Sequence, residues 1–236
     1  TKTSAKDDKL YINTYREEKE QSVFFLIDVS NSQNIGKKKK INISKEIASV
    51  LCLSAIRKNS QVGLLCFSDK KEKFLKPEKG NSQAYKFIKQ LHNLKNTSNS
   101  TDLDEMFKYF MRRIKKKSLV IIISDFIDKN YKKSLKSLSR LHDVICIHIN
   151  DLDEMKIPNL GLIEIENNEK SKKKWINTSS YEFKKVTKDT FYNNPEEFRK
   201  FLKKINTNYL EVTTNRDYLK DLILSLIHIS EPTRLH

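Results

Sequence analysis

The chain has 236 residues, of which 37% are hydrophobic and 32% charged. That is enough apolar material to bury a core, which excludes wholesale disorder. No apolar run approaches the roughly 18–20 residues of a membrane span, and no secretory signal with a basic start and an apolar middle is present. The formal net charge is +16, which fits nucleic acid, an anionic membrane or an acidic partner.

The basic residues are 38 Lys and 8 Arg. Specific phosphate and base recognition leans on the planar fork of Arg, so no specific nucleic acid is expected. Lys, Asn and Ile are abundant while Gly and Pro number four each, the profile of an AT-rich coding sequence. The charge therefore reads as compositional background that at most favours an acidic partner. Cys52, Cys66 and Cys146 sit in apolar stretches without paired spacing. They read as buried free thiols of a reducing compartment, and a cytoplasmic location is expected.

In chain order, residues 10–15 alternate and predict an edge strand. Residues 23–27 form an apolar run that predicts a buried strand. Ile43, Ile47, Val50 and Leu51 carry helical spacing. A second buried strand falls at 62–67, with a hairpin return at 72–75. Leu103, Phe107, Phe110, Met111 and Ile114 predict a helix before a strand at 119–123. Leu135, Leu138 and Leu141 predict a shorter helix before a strand at 144–149. A turn at 158–161 and a short strand at 162–165 follow. Asn194 and Pro195, then two acids, open a helix to about residue 205. A strand at 209–212 and a capped helix at 215–223 complete the pattern. The Lys37–Lys40 and Lys115–Lys117 runs read as solvated helix ends.

Strands apolar on both faces, alternating with helices, imply an α/β fold. The sheet is expected to be doubly wound and mostly parallel, with helices on both faces. The domain itself spans 21–223. Residues 1–20 are expected to be a partial N-terminal edge segment of a truncated region, since the chain starts at Thr1 in a polar stretch. Residues 224–236 resemble the translated read-through of a sequencing adapter and are expected to be a non-native tail.

In an open α/β sheet, ligands bind beyond the carboxyl ends of the strands. After the 23–27 strand comes Asp28-Val29-Ser30-Asn31-Ser32, and after the 119–123 strand comes Ser124-Asp125-Phe126-Ile127-Asp128. Before the 103–114 helix comes Asn99-Ser100-Thr101-Asp102. These oxygen donors converge on one edge, and a hard cation such as Mg²⁺ or Mn²⁺ prefers such a set. A strand-to-loop turn can aim residues 28, 30 and 32 the same way. Hydroxyls are neutral ligands, so the metal keeps charge for an anionic oxygen from outside. Thr101 with Asp104 also reads as a helix N-cap pair, and Asp128 as a cap of the following helix. His142 and His148 lack partners at ligand spacing and read as structural.

The combination resembles the metal-ion-dependent adhesion site of von Willebrand factor A domains. Residues 9–20, Ser124–Asp128, 158–161 and 209–219 narrow the resemblance to the bacterial family called domain of unknown function 58. The resemblance runs from Thr1 to about Ile223. It implies that Ser30 and Ser32 bind the metal directly, and that Thr101 binds it directly or through water. It implies that Asp28 and Asp125 act mostly through bound waters. Two departures stand out: Asn99 and Ser100 replace two glycines usual in the family, and Gln33 replaces a Met.

Three functions follow as expectations. The first is a metal-dependent protein-binding module whose open metal position takes an acidic side chain. The resemblance implies a MoxR-type AAA+ ATPase as partner and a role as adaptor or co-chaperone. The second is a basic nucleic-acid-binding protein, which would show a steep salt dependence. The third is a Mg²⁺-dependent phosphohydrolase. Against catalysis, there is no nucleophile elbow, and Ser30 stands where phosphoryl-transfer chemistry wants a second acid. The protein is therefore expected not to be an enzyme.

Overall fold

The computed structural model describes residues 22–34, 39–94, 98, 100–128, 130–151, 161–167, 172–188, 190 and 194–214. The strand expected at 10–15, the turn at 158–160, the helix at 215–223 and the tail at 224–236 lie outside the described residues.

Eight strands are described: β1 (Ser22–Asp28), β2 (Gln61–Phe67), β3 (Lys71–Glu78), β4 (Leu119–Ser124), β5 (Asp143–Asn150), β6 (Leu162–Asn167), β7 (Lys172–Asn177) and β8 (Asn208–Thr213). The helices are α1 (Lys40–Arg57), α2 (Asn81–His92), α3 (Leu103–Arg113), α4 (Lys132–Leu141), α5 (Tyr181–Lys188) and α6 (Asn194–Lys204). A 3₁₀ turn covers Asn31–Asn34.

Six strands form one sheet in the order β3-β2-β1-β4-β5-β8. Every neighbouring pair is parallel except the β2–β3 hairpin at the edge. This is the doubly wound α/β sheet expected from the apolar strand runs. β6 and β7, which fall between β5 and β8 in chain order, form a separate antiparallel pair.

β1 is buried along its whole length, and its side chains divide by parity. Val23, Phe25 and Ile27 pack with α1 and α2 residues such as Ile47 and Phe87, and Phe24 and Leu26 pack with Phe107 and Phe110 of α3 and Leu135 of α4. Period-two alternation thus feeds two cores, one on each face. Phe25 meets Phe87 edge-on with centroids 5.2 Å apart, and Phe24 meets Phe110 at 5.1 Å. Gly63 sits opposite Phe24 in the β1–β2 register. A β-carbon there would collide with the Phe24 ring, so β2 needs glycine at that point.

Three elements are not among the sequence predictions. α2 carries Ala84, Phe87 and Leu91 toward the core at helical spacing, a signal present in the sequence. β7 and α5 carry Trp175, Tyr181 and Val186, which are exposed.

β1 lies between β2 and β4, and the chain winds outward from it in both directions. The carboxyl ends of β1 and β4 therefore flank the point where strand order reverses. That crevice is where open α/β sheets bind ligands.

Candidate metal centre

The β1 strand delivers Asp28 to this crevice with 1% exposure. Beyond Val29 the chain turns into the 3₁₀ segment. The Ser30 backbone N–H donates to Asp28 Oδ1 at 3.0 Å, which closes a tight side-chain turn. That turn brings the Ser30 and Ser32 hydroxyl oxygens to 2.9 Å from each other. Ser30 is fully buried and Ser32 half-buried.

The second loop comes from the start of α3. Asn31 N–H donates to the Ser98 carbonyl at 3.1 Å, and Asp102 N–H to the Ser68 carbonyl at 3.2 Å. These bonds tie the loop to the ends of β1 and β2. The Thr101 hydroxyl donates to Asp28 Oδ1 over 3.4 Å. Asp102 accepts from Glu105 N–H at 2.8 Å and is the N-cap of α3, rather than Thr101 with Asp104. Asp104 pairs instead with Lys108, one turn on.

The third contribution follows β4. Ser124 Oγ donates to Asp28 Oδ2 at 2.9 Å. Asp125, 5% exposed, accepts Lys40 Nζ at 2.8 Å and Ile127 N–H at 3.3 Å. Phe126 follows with φ +52°, a left-handed conformation that costs about 1–2 kcal/mol in a non-glycine residue. Its ring holds it there, packed 4.5 Å from Phe198 and 5.7 Å from His148.

Burial pushes the Asp28 carboxyl up to about 6, and the nearby Asp125 carboxylate adds to the rise. The hydrogen bonds from Ser30 and Ser124 oppose it. Such a carboxyl is poised to gain from a cation.

The five residues singled out by the sequence, Asp28, Ser30, Ser32, Thr101 and Asp125, thus all end on the loops at one sheet edge. Asp28, Ser30, Ser32 and Thr101 are joined by direct contacts. Asp125 is drawn instead to Lys40. The donor set fits a hard divalent ion, being all oxygen and mixing carboxylates with neutral hydroxyls. Among the described residues, no group of three or more His, Cys, Asp or Glu side chains gathers into a metal site, so any such site here rests on hydroxyls.

Two further expectations need correction. Lys40 is not a solvated helix end: it is 1% exposed and pairs with Asp125. It shares the buried face of α1 with Ser44, Ile47 and Leu51, and that 4-3-4 spacing was the available signal. Asp128 does not cap the following helix. Its Oδ2 accepts Leu103 N–H at 2.8 Å, so it holds the start of α3. Ser124, to which the sequence assigned no role, donates to Asp28 because β1 and β4 run in parallel register up to Ile27 and Ile123. Gln33 is fully buried, and neither atom of its amide has a hydrogen-bond partner among the described residues.

His142 and His148 are both buried. His148 lies 2.8 Å from the Tyr209 hydroxyl, and burial pushes its ring down to about 4. His142 is buried against Phe110 with centroids 5.3 Å apart. All three cysteines are free and buried. No described helix is long and apolar enough to cross a membrane.

No curated protein matches the chain in sequence. Among solved structures, an aerotolerance-related membrane protein from Bacteroides fragilis superposes with a TM-score of 0.61 at 14% identity, over 90% of this chain and 100% of that one. The BatB protein of Bacteroides thetaiotaomicron superposes with a TM-score of 0.55 at 14% identity, over 89% and 98%. These likenesses agree with the doubly wound α/β fold. The model of a sequence family covers most of the chain, residues 2–194, and by that match the chain belongs to the family described as Protein of unknown function DUF58.

Proposed function

We propose that this protein is a metal-dependent protein-binding module of the adhesion-site type. The observation that carries the reading is the Ser30–Ser32 hydroxyl pair, 2.9 Å apart, beside a buried Asp28 that also takes the Thr101 hydroxyl. Ser30, Ser32 and Thr101 would hold Mg²⁺ or Mn²⁺. Asp28 and Asp125 would act through bound waters. When bound, the metal supplies a Lewis-acidic position for an outside carboxylate. The Asp28 side-chain turn supports the loop that holds the Ser30 and Ser32 hydroxyl oxygens 2.9 Å apart.

The partner is a protein that offers an acidic side chain, with a MoxR-type AAA+ ATPase as the leading candidate. The role is that of an adaptor or co-chaperone in the cytoplasm, without catalysis of its own. The excess of Lys favours such an acidic partner by long-range attraction.

The test is a pull-down of a MoxR-type ATPase with the full chain, in Mg²⁺ and in EDTA, beside Mn²⁺ titration by calorimetry. Capture in Mg²⁺ that is lost in EDTA, and lost in the Ser30→Ala, Ser32→Ala double variant, is the expected result. Capture that survives both treatments overturns the metal-dependent reading. Phosphate-ester turnover abolished by Asp28→Asn would overturn the non-catalytic one.

A further inference from the structure

Lys40 is among the largest fully buried side chains of the protein. An ammonium taken out of water costs several kcal/mol, and only a well-placed carboxylate offsets that. Here the carboxylate is Asp125, at 2.8 Å and itself 5% exposed. The pair links the first residue of α1 to the end of β4, across 85 positions. Asp125 follows Ser124, and Ser124 Oγ donates to Asp28 Oδ2 at 2.9 Å. Two buried carboxylates therefore stand at adjacent strand ends, with one internal ammonium beside them.

The charge balance around this crevice has a consequence. Two like-charged carboxylates at close range repel and would disperse the loops if left bare. Lys40 cancels one of the two charges without any ion from solution. The same fixed positive charge repels a second cation that enters the field of Asp28 and Asp125.

We propose that Lys40 is a built-in counter-cation of the candidate metal centre. It holds Asp125 in place in the metal-free protein, so the loops are assembled before any ion arrives. It also lowers the affinity of the centre for a divalent ion. The inference rests on the metal reading above, and it assigns Lys40 a positioning role rather than a ligand role.

The test uses the full chain, stripped with EDTA and dialysed. Mn²⁺ affinity is read by the electron paramagnetic resonance of free Mn²⁺, and folding by thermal melts. The proteins are the wild type, Lys40→Met, Lys40→Arg and the Ser30→Ala, Ser32→Ala variant. Lys40→Met is expected to bind Mn²⁺ on the order of ten-fold more tightly than the wild type. It is also expected to melt lower without metal and to gain more from Mn²⁺, while Lys40→Arg stays near the wild type. Binding by Lys40→Met alone, absent from the wild type, supports the proposal equally. Equal or weaker binding by Lys40→Met overturns it while leaving the metal reading intact, provided that the wild type binds and the serine variant does not. Failure of every protein to bind Mn²⁺ overturns both. Should Lys40→Met be unfolded without metal, its far-ultraviolet circular dichroism is followed instead. Recovery at Mn²⁺ concentrations below the wild-type half-saturation supports the proposal, and no recovery overturns it.

Discussion

The Ser124 hydroxyl donates to Asp28 Oδ2 across 2.9 Å, although the two residues stand 96 positions apart. The parallel β1–β4 register produces this contact, because Ile27 pairs with Ile123 and the next residue on each strand meets at the strand ends. Asp28 is thereby gripped from both sides. Its Oδ1 takes the Ser30 N–H, and its Oδ2 takes Ser124. Both bonds oppose the effect of burial on the carboxyl.

Ser124→Ala removes one of those donors and leaves a buried carboxyl under-satisfied. A hydrogen bond to a charged group contributes about 1.5–3 kcal/mol, and the Asp28 carboxyl is partly ionised near neutrality. The expected outcome is a loss of about 1–2 kcal/mol in urea unfolding at pH 7, with an unchanged denaturant slope. The Ser124 hydroxyl also accepts Phe126 N–H at 3.0 Å, so the variant frees the backbone that carries the strained φ of Phe126. An unchanged midpoint would mean that Asp28 is held by the other contacts alone.

Gln33 offers the opposite case. Its side chain is fully buried, and both amide atoms lack partners among the described residues. A buried polar group left unsatisfied costs about 1–3 kcal/mol. Gln33→Met keeps the length of the side chain and removes the polar atoms. We expect a gain of about 1–2 kcal/mol in urea unfolding, with Mn²⁺ binding retained. A destabilised Gln33→Met would show that the amide finds a partner in solution, such as an internal water.

Acidity acts on two buried groups in opposite senses. Asp28 is raised from 3.8 to about 6, so its contribution is present below 3.8 and is lost as pH rises through 6. His148 is lowered from 6.5 to about 4, so its contribution is present above 6.5 and is lost as pH falls through 4. Each shift corresponds to about 3 kcal/mol over its window, and the windows overlap between pH 6 and 4. The two effects oppose each other in the wild type. In EDTA, Asp28→Asn is expected to lose stability on acidification from pH 6.5 to 4 relative to the wild type. His148→Phe, whose ring fits among Phe126, Phe198 and Tyr209, is expected to gain. Urea unfolding at pH 4, 5, 6 and 7 reads both. Equal pH slopes for the two variants would refute the assignment.

What the sequence made legible follows from what repeats locally. The core strands stand out because each is apolar on both faces, and β1, β2, β4 and β5 all fall where the runs place them. The Asp28, Ser30 and Ser32 spacing is visible because one loop supplies all three. The illegible features are the non-local ones. Lys40 looks like the end of a surface Lys run; its spacing with Ser44, Ile47 and Leu51 marks the buried face, but its ion-pair partner lies 85 residues away. Asp128 lies nearer α4 in sequence, but the fold carries its carboxylate to the first N–H of α3. Two strands, β2 and β3, separate Ser124 from its acceptor in chain order, but the two residues are neighbours in the sheet.

The α3 start gives the final prediction. Two carboxylates hold this helix end: Asp102 accepts Glu105 N–H, and Asp128 accepts Leu103 N–H. Both satisfy otherwise orphaned amides at the positive end of the helix dipole. Thr101 stands immediately before them, and its hydroxyl must stay within reach of Asp28. Asp128→Ala removes the long-range anchor and keeps the local cap. A loss of about 1 kcal/mol in stability is expected, the usual cost of a lost helix cap. If Thr101 contributes to metal binding, Mn²⁺ affinity should fall with it, because the loop that carries Thr101 loses one of its ties. Asp102→Ala should cost a similar amount of stability and loosen the same loop. Stability loss in Asp128→Ala with unchanged Mn²⁺ affinity would remove Thr101 from the ligand set and leave Ser30 and Ser32 as its remaining hydroxyls.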